Sequence, residues 1–314
     1  MFRKAISDLV EWKSSKRRKP LIIRGPRQAG KTWLVRDFAK REFENLIEIN
    51  FDQTPDKSKF LTNPSIERCL ELIEVDSGRE LIPEKTLLFL DEIQAAPDAL
   101  PRLRYFYEER PDIPIVAAGS LLEFLLADHD FSMPVGRVEY LHLGPMDFEE
   151  FLMARGKKKL VEFLERFSVE EEIPDSIHAG LLDELRLFWV VGGMPAPVKS
   201  FLESGGTREM ASEHESLLQT YEDDFSKYRD RVDPERLQTV LRKIPGLIGN
   251  KLKYSRIDPE DRAKNLSDAL KQLEKARVLH RVFHSSGNGV PLGAEADDSD
   301  FKALFLDIGL VSTS

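Results

Sequence analysis

The segment Gly25-Pro26-Arg27-Gln28-Ala29-Gly30-Lys31-Thr32 constrains this chain more than any other stretch of it. Its two glycines let a backbone wrap closely around an anion with no Cβ in the way, and a lysine and a hydroxyl follow at once. Upstream, Pro20-Leu21-Ile22-Ile23 is an apolar run suited to a buried parallel strand; downstream, Trp33, Leu34, Val35, Phe38 and Ala39 recur at helical spacing. Strand, glycine loop and helix N-terminus in that order make a phosphate cradle, because the loop N–H groups turn inward and the helix end adds partial positive charge. The predicted occupant is a nucleoside triphosphate. The backbone of Gly25, Pro26, Arg27, Gln28, Ala29 and Gly30 surrounds the β-phosphate, Lys31 reaches the β- and γ-oxygens, and the Thr32 hydroxyl ligates Mg²⁺. An ordinary Gly/Pro turn would not require Lys-Thr directly after the second glycine.

Some sixty residues on, Thr86-Leu87-Leu88-Phe89-Leu90 runs into Asp91-Glu92. A strand of this kind leaves two carboxylates at its C-terminal edge, where open α/β sheets bind ligands. Asp91 is then expected in the Mg²⁺ shell, and Glu92 is expected to orient the attacking water or accept its proton. Alone, such an acidic pair would read as a helix N-cap; the phosphate loop reverses that preference. Leu46 to Phe51 forms another strand, and Ile113 to Ala118 a further one ending at Gly119-Ser120. If that last strand inserts between the first strand and the one ending at Asp91, Ser120 lies beside the γ-phosphate; Ser120 also suits the N-cap of a helix beginning at Leu121, and the two roles are compatible. Arg137 follows the polar loop Asp128 to Pro134 and precedes the apolar run Val138 to Leu143. Two readings stay open for it: stabilising transition-state charge on the γ-phosphate, in its own subunit or a neighbour's, or pairing with a local carboxylate.

The strings at Gly25–Thr32 (GPRQAGKT), Leu87–Gln94 (LLFLDEIQ), Ala117–Ser120 (AAGS), Pro134–Phe151 (PVGRVEYLHLGPMDFEEF) and Gly192–Pro195 (GGMP) resemble, in this order, the bacterial and archaeal AAA-type ATPases that carry an uncharacterised C-terminal domain. The resemblance covers essentially the whole chain and is strongest from Leu21 to Phe151; the tail Lys253 to Leu310 is similar to the domain of unknown function. It implies an α/β fold: a P-loop NTPase core whose parallel sheet is flanked by helices in the AAA/RecA-like strand order, then a helical region and a winged-helix-like module. The expected divisions are 1–150, 151–228 and 229–314. It also implies ATP rather than another nucleotide, in keeping with the lack of a guanine-reading N-K-x-D string, and relatives that act as molecular switches. In AAA-type enzymes a hydroxyl or amide at the position of Ser120 senses the γ-phosphate. Some members continue into a region similar to restriction-endonuclease folds, but Phe305 to Leu310 shows no nuclease motif, and whether the native chain continues past residue 314 stays open.

The composition fits a soluble, cytoplasmic protein of two or three parts: 314 residues, 41% hydrophobic, net charge −9. Asp8 and Glu11 interrupt any N-terminal apolar run, and the longest apolar stretch, Ile113 to Ala127, holds Pro114, Gly119 and Glu123; neither a signal peptide nor a membrane span is expected. Cys69, the one cysteine, lies on the helical apolar face of Ile66, Leu70 and Ile73 and reads as core. Charge is shared unevenly. Met146 to Asp224 carries 18 acidic and 8 basic residues in a helical pattern, a lid or linker broken by a tight turn at Gly192-Gly193-Met194-Pro195. Residues 229–284 carry 14 basic and 8 acidic. There, helices at Pro234–Ile244 and Leu266–Lys275 precede a hairpin of Val278–Phe283 with Lys302–Leu306, the order of a winged helix. Lys264, Lys271, Lys275 and Arg281 are the residues that would meet DNA phosphates, although a local net of plus six gives a modest counterion-release term and only Asn265 and Gln272 are suited to base edges. The basic run Lys13, Lys16, Arg17, Arg18 and Lys19 reads as a solvated linker, and Asp297-Asp298-Ser299-Asp300 as a polar hairpin loop with no calcium-loop spacing.

These residues lead to an ATP-hydrolysing switch. A small-molecule kinase is the first alternative, although such kinases seldom place Glu directly after the strand-end Asp. A nucleotide-gated DNA- or protein-binding module with negligible turnover is the second. A protein partner and self-association are left open.

Overall fold

The computed structural model describes residues 1–120, 136–228 and 232–313. The helix expected from Leu121, the loop Asp128 to Pro134 and the opening Arg229 of the basic stretch lie outside the described residues. The chain divides into two compact units, the first Arg3–Gly144 and the second from Pro145 onward.

In the first unit, α1 (Ala5–Ser14) leads to β1 (Leu21–Arg24), α2 (Lys31–Glu42), β2 (Asn45–Asn50), the short α3 (Ser58–Leu61), α4 (Ile66–Ser77), β3 (Thr86–Asp91), α5 (Leu103–Glu109), β4 (Ile115–Gly119) and β5 (Glu139–His142). The five strands pair in parallel in the order β2-β3-β4-β1-β5. β4 therefore does insert between β1 and β3. Every residue of β3 and β4 is buried, the pattern of strands covered on both faces.

Strand alternation sends side chains to two separate cores. Ile22, Leu88, Leu90, Ile115 and Ala117 face Ile66, Cys69, Leu70 and Ile73 of α4 and Leu103 and Phe106 of α5. Their neighbours Leu21, Ile23, Leu87, Phe89, Val116 and Ala118 face Leu9 and Trp12 of α1 and Leu34, Val35 and Phe38 of α2. This is the layering of a P-loop NTPase, and Cys69 is core as expected, fully buried. Because α2 is pinned along one side by three apolar residues, its first turn is held at the C-terminal edge of the sheet.

The second unit begins with α6 (Phe148–Ala154), α7 (Lys158–Leu164), α8 (Asp175–Val191), α9 (Pro195–Ser204) and α10 (Thr207–Asp224), followed by α11 (Pro234–Lys243), α12 (Tyr254–Ile257), α13 (Ala263–Lys275), β6 (Leu279–Ser285), β7 (Ala296–Phe305) and α14 (Ile308–Thr313). Asp147 caps α6 by accepting from the Glu150 N–H while Glu150 returns to the Asp147 N–H, so the acidic start of this helix closes two backbone donors. Leu237, Val240 and Leu241 of α11 are buried, as are Leu266, Ala269, Leu270 and Leu273 of α13. β6 and β7 form an antiparallel hairpin.

Two readings of the sequence need amendment here. Asp297-Asp298-Ser299-Asp300 is not a hairpin loop: it lies inside β7, where the register jumps from His284↔Asp297 to Phe283↔Phe301, so the extra residues form a bulge. Gly192-Gly193 is more than a turn. The Gly193 N–H donates to Asp307 Oδ2 at 2.7 Å, the Met146 N–H donates to the Gly193 carbonyl at 2.7 Å, and a Cβ on Gly193 would fall 2.0 Å from the Met146 carbonyl oxygen. Asp307 Oδ1 also accepts from the Gly309 N–H at 3.0 Å, tying GGMP to the chain's last helix. Burial raises the Asp307 pKa, against the lowering effect of these backbone donors.

Candidate functional site

The phosphate loop joins β1 to α2 in a shape few residues can take. Gly25 has φ +152, and a Cβ there would lie 2.0 Å from the Leu143 carbonyl oxygen; Gly30 has φ +91. Gln28 adopts φ +60, a conformation that costs a non-glycine residue and clusters at ligand sites. The loop is also held from behind. Arg3, 4% exposed, donates from Nη1 to the Ala29 carbonyl at 2.8 Å and from Nη2 to the Gly144 carbonyl at 2.7 Å. Sequence reading misses Arg3, because a lone arginine near an N-terminus carries no local signal of a contact 26 residues away.

Lys31 opens α2 and is buried, its ammonium folded onto the loop: Nζ donates to the Gly25 carbonyl at 3.1 Å and to the Pro26 carbonyl at 2.7 Å. Burial lowers its pKa to about 8, against the raising effect of Glu92 and Asp91. The Thr32 hydroxyl lies 3.2 and 3.0 Å from the two oxygens of Asp91. The loop and the end of β3 are thus joined side chain to side chain, as the two motifs anticipate. Asp91 is 3% exposed, and burial raises its pKa, opposed by the Thr32 hydrogen bond. Asn50, in register with Asp91 across β2 and β3, donates Nδ2–H to Asp91 Oδ2 at 3.1 Å. Its Oδ1 meanwhile accepts from the Asp52 and Gln53 N–H groups. Sequence reading misses Asn50 too, since nothing in its own strand marks the tip as polar by design.

Glu92 turns off the end of β3 in a left-handed conformation, φ +51, and its carboxylate accepts from Gln94 Nε2. Ser120, at the end of β4, is 6% exposed, and its Oγ finds no hydrogen-bond partner among the described residues. A cleft of about 440 Å³ is lined, among the described residues, by Arg27, Gln28, Gly30, Lys31, Thr32, Trp33, Arg36, Glu92 and Ser120. It brings together residues from the loop, α2 and the tips of β3 and β4, which lie far apart along the sequence.

Two features test the fit of a magnesium-bound triphosphate. The loop has room for backbone only at Gly25, and among the described residues the buried Ser120 hydroxyl has no hydrogen-bond partner. Thr32 and Asp91, the residues expected to meet a metal, offer oxygen donors only. Among the described residues no cluster of three or more His, Cys, Asp or Glu side chains could hold a metal by itself. One hydroxyl and one carboxylate suit Mg²⁺, which keeps several waters and is held by one or two carboxylates with substrate phosphates.

Arg137 is outside this cleft's described lining. Its Nε donates to Glu108 at 2.9 Å, an exposed pair that also takes Arg104 at 3.0 Å. Of the two readings, local pairing is the arrangement observed.

In the second unit, Arg281 is committed to Glu274 at 2.6 Å and Lys271 lies 3.9 Å from Asp268. Arg236, Arg242 and Lys251 are likewise paired, with Asp261, Glu222 and Asp300. Beside α11 and the start of α13, a cleft is lined by Asp233, Glu235, Asp258, Glu260 and Asp261. Among the described residues of 232–284, these five basic side chains thus lie beside carboxylates.

Residues 17–152 match the AAA domain family, and residues 182–314 match a family described as a domain of unknown function. The Walker-type ATPase of Pyrococcus abyssi is similar at 19% identity, covering 99% of this chain and 95% of that one, with a TM-score of 0.58. The RuvB Holliday junction branch migration motor of Thermotoga maritima is similar at 18% identity over 90% of each chain, TM-score 0.38. The ORC1 protein of Aeropyrum pernix, solved in complex with DNA, is similar at 14% identity over 99% of this chain and 91% of that one, TM-score 0.34. No curated protein matches the chain. Among the described residues no helix is long and apolar enough to cross a membrane.

Proposed function

We propose, from the match of residues 17–152 to the AAA domain family and from the P-loop NTPase fold, that this chain is a Mg²⁺-dependent ATPase whose nucleotide state sets the conformation of its second unit. The observation that carries the reading is the contact of Thr32 with Asp91, made beside a buried Lys31 and within one cleft that also holds Glu92 and Ser120. Within Gly25 to Gly30, every residue but Pro26 has a main-chain N–H to offer to the β-phosphate. Lys31 exchanges its two loop carbonyls for phosphate oxygens, which return the full charge that burial has weakened. Thr32 and Asp91 would hold the metal, which when bound would supply neutralisation of the charge gathering on the phosphate oxygens. Glu92 orients water and takes its proton as the new bond to phosphorus forms and the bond to the β-phosphate oxygen breaks. Gln94 holds that carboxylate in place. Ser120 donates its hydroxyl to the γ-phosphate or to the attacking water, a role for an Oγ that has no partner among the described residues.

The deciding measurement is a pair of assays on Glu92→Gln. ATP affinity should stay within about threefold of wild type, while phosphate release falls by roughly 10²-fold or more, as expected when a positioned base is removed. Undiminished turnover would take Glu92 out of the mechanism. Transfer of phosphate to a metabolite rather than to water would replace the ATPase reading with a kinase.

The run of α11, α12 and α13 followed by the β6–β7 hairpin supports a second reading, a winged-helix-like module over residues 229–314 that contacts DNA. Lys264 and Lys275 are then the phosphate contacts, with Arg281 holding the hairpin through Glu274. Duplex affinity falling steeply with salt supports it, and salt-indifferent binding argues against phosphate contacts.

A further inference from the structure

We propose that Trp33 is the base-recognition surface of the nucleotide cleft, stacking its indole against the purine of the bound nucleotide. The inference rests on the nucleotide reading above and adds what that reading leaves out, since every group assigned there meets phosphate, metal or water.

Trp33 is the third residue of α2 and lines the same cleft as Lys31 and Thr32. It is 43% exposed, whereas its helix neighbours Leu34, Val35 and Phe38 are fully buried against the sheet. Its indole is therefore not part of the core that fixes α2. Among the described residues that line the cleft it is the one aromatic, the others being charged, polar or glycine. A purine needs a flat apolar surface, and indole supplies one at little conformational cost. Arg36, one turn further on the same helix face, is locked by a two-pronged pair with Glu48 at 2.8 and 2.7 Å. Trp33 and Arg36 thus form one wall along α2, while Glu92 and Ser120 form the wall at the strand tips. A ligand with phosphates at the strand tips and a base on α2 fits both.

The test compares Mg²⁺-ATP with Mg²⁺-tripolyphosphate, which has the phosphates and no base, by calorimetry on the full chain. Trp33→Ala should weaken ATP about tenfold or more and leave tripolyphosphate unchanged, and Trp33→Phe should keep most of the ATP affinity. In a Trp189→Phe background ATP should also quench tryptophan emission, and should not do so once Trp33→Phe is added, because the remaining Trp12 is buried in the core. Equal loss for both ligands in Trp33→Ala, or loss for neither, overturns the inference and leaves the phosphate-loop reading standing. If wild-type protein binds neither ligand, the phosphate-loop reading falls and this inference with it.

Discussion

Lys31 shows how one residue serves binding at a cost to the resting fold. Its ammonium is held in a buried place by two carbonyls, and desolvation brings its pKa down from 10.5 to about 8. Between those values the unfolded chain holds the proton and the folded, nucleotide-free protein does not. Stability should then climb as pH rises from about 8 towards 10.5, by up to about 1.4 kcal/mol per pH unit, and the burden of the buried charge is fully present below about pH 8. Lys31→Met should lack that rise and should no longer bind ATP. Urea midpoints of both proteins at about pH 7.5 and about pH 9.5 check the point: parallel changes would show that Lys31 is as well solvated in the fold as in the unfolded chain. Glu92 and Gln28 likewise take left-handed backbone conformations, in the turns that border the cleft.

Elements whose identity rests on local pattern are legible in the amino-acid chain itself. β1, β3 and β4 are continuous apolar runs, and α2 and α4 show apolar residues every three to four positions, so their existence and much of their order follow from the chain. The motif residues Lys31, Thr32 and Asp91 are legible for the same reason: each sits at a fixed offset from a strand end. The contacts of Arg3 and Asn50, and the choice of Glu108 as the carboxylate that pairs with Arg137, are not, because each depends on which distant part of the chain passes nearby. The β7 bulge is hidden by composition, since Asp297 to Asp300 is polar enough for a loop and only its pairing with β6 shows otherwise. GGMP reads as a break in helicity, which it is, but its reason lies 114 residues away in Asp307. A Cβ on Gly193 would meet the Met146 carbonyl, and no flexible side chain is there to give way. Gly193→Ala should therefore destabilise the second unit by at least about 2 kcal/mol, seen as a lower urea midpoint in a transition that leaves the ATP affinity of the first unit intact. A variant as stable as wild type would mean that the α8–α9 junction has more freedom than these contacts allow.

At the scale of the molecule, the open question is whether ligand chemistry in Arg3–Gly144 reaches the residues beyond Pro145. A bound nucleotide moves a conformational equilibrium only by the difference in its affinity for the two states, so a switch requires that ATP and ADP favour different arrangements of the second unit. The γ-phosphate is the group that distinguishes them, and in the proposed reading Lys31, Glu92 and Ser120 are the side chains that would meet it. Glu92→Gln makes the comparison clean, because it should hold ATP without consuming it. In hydrogen exchange, both nucleotides should protect the loop 25–32 of this variant, as any ligand bound to the native state does. The switch predicts more: amides within 145–228, where the chain is helical and acidic, should exchange at rates that differ between the ATP-bound and ADP-bound variant by at least about fivefold, the lower range of measured site-to-site couplings. Identical exchange throughout the second unit in the two states would leave an ATPase whose hydrolysis is not relayed there, and the term switch would no longer describe this protein.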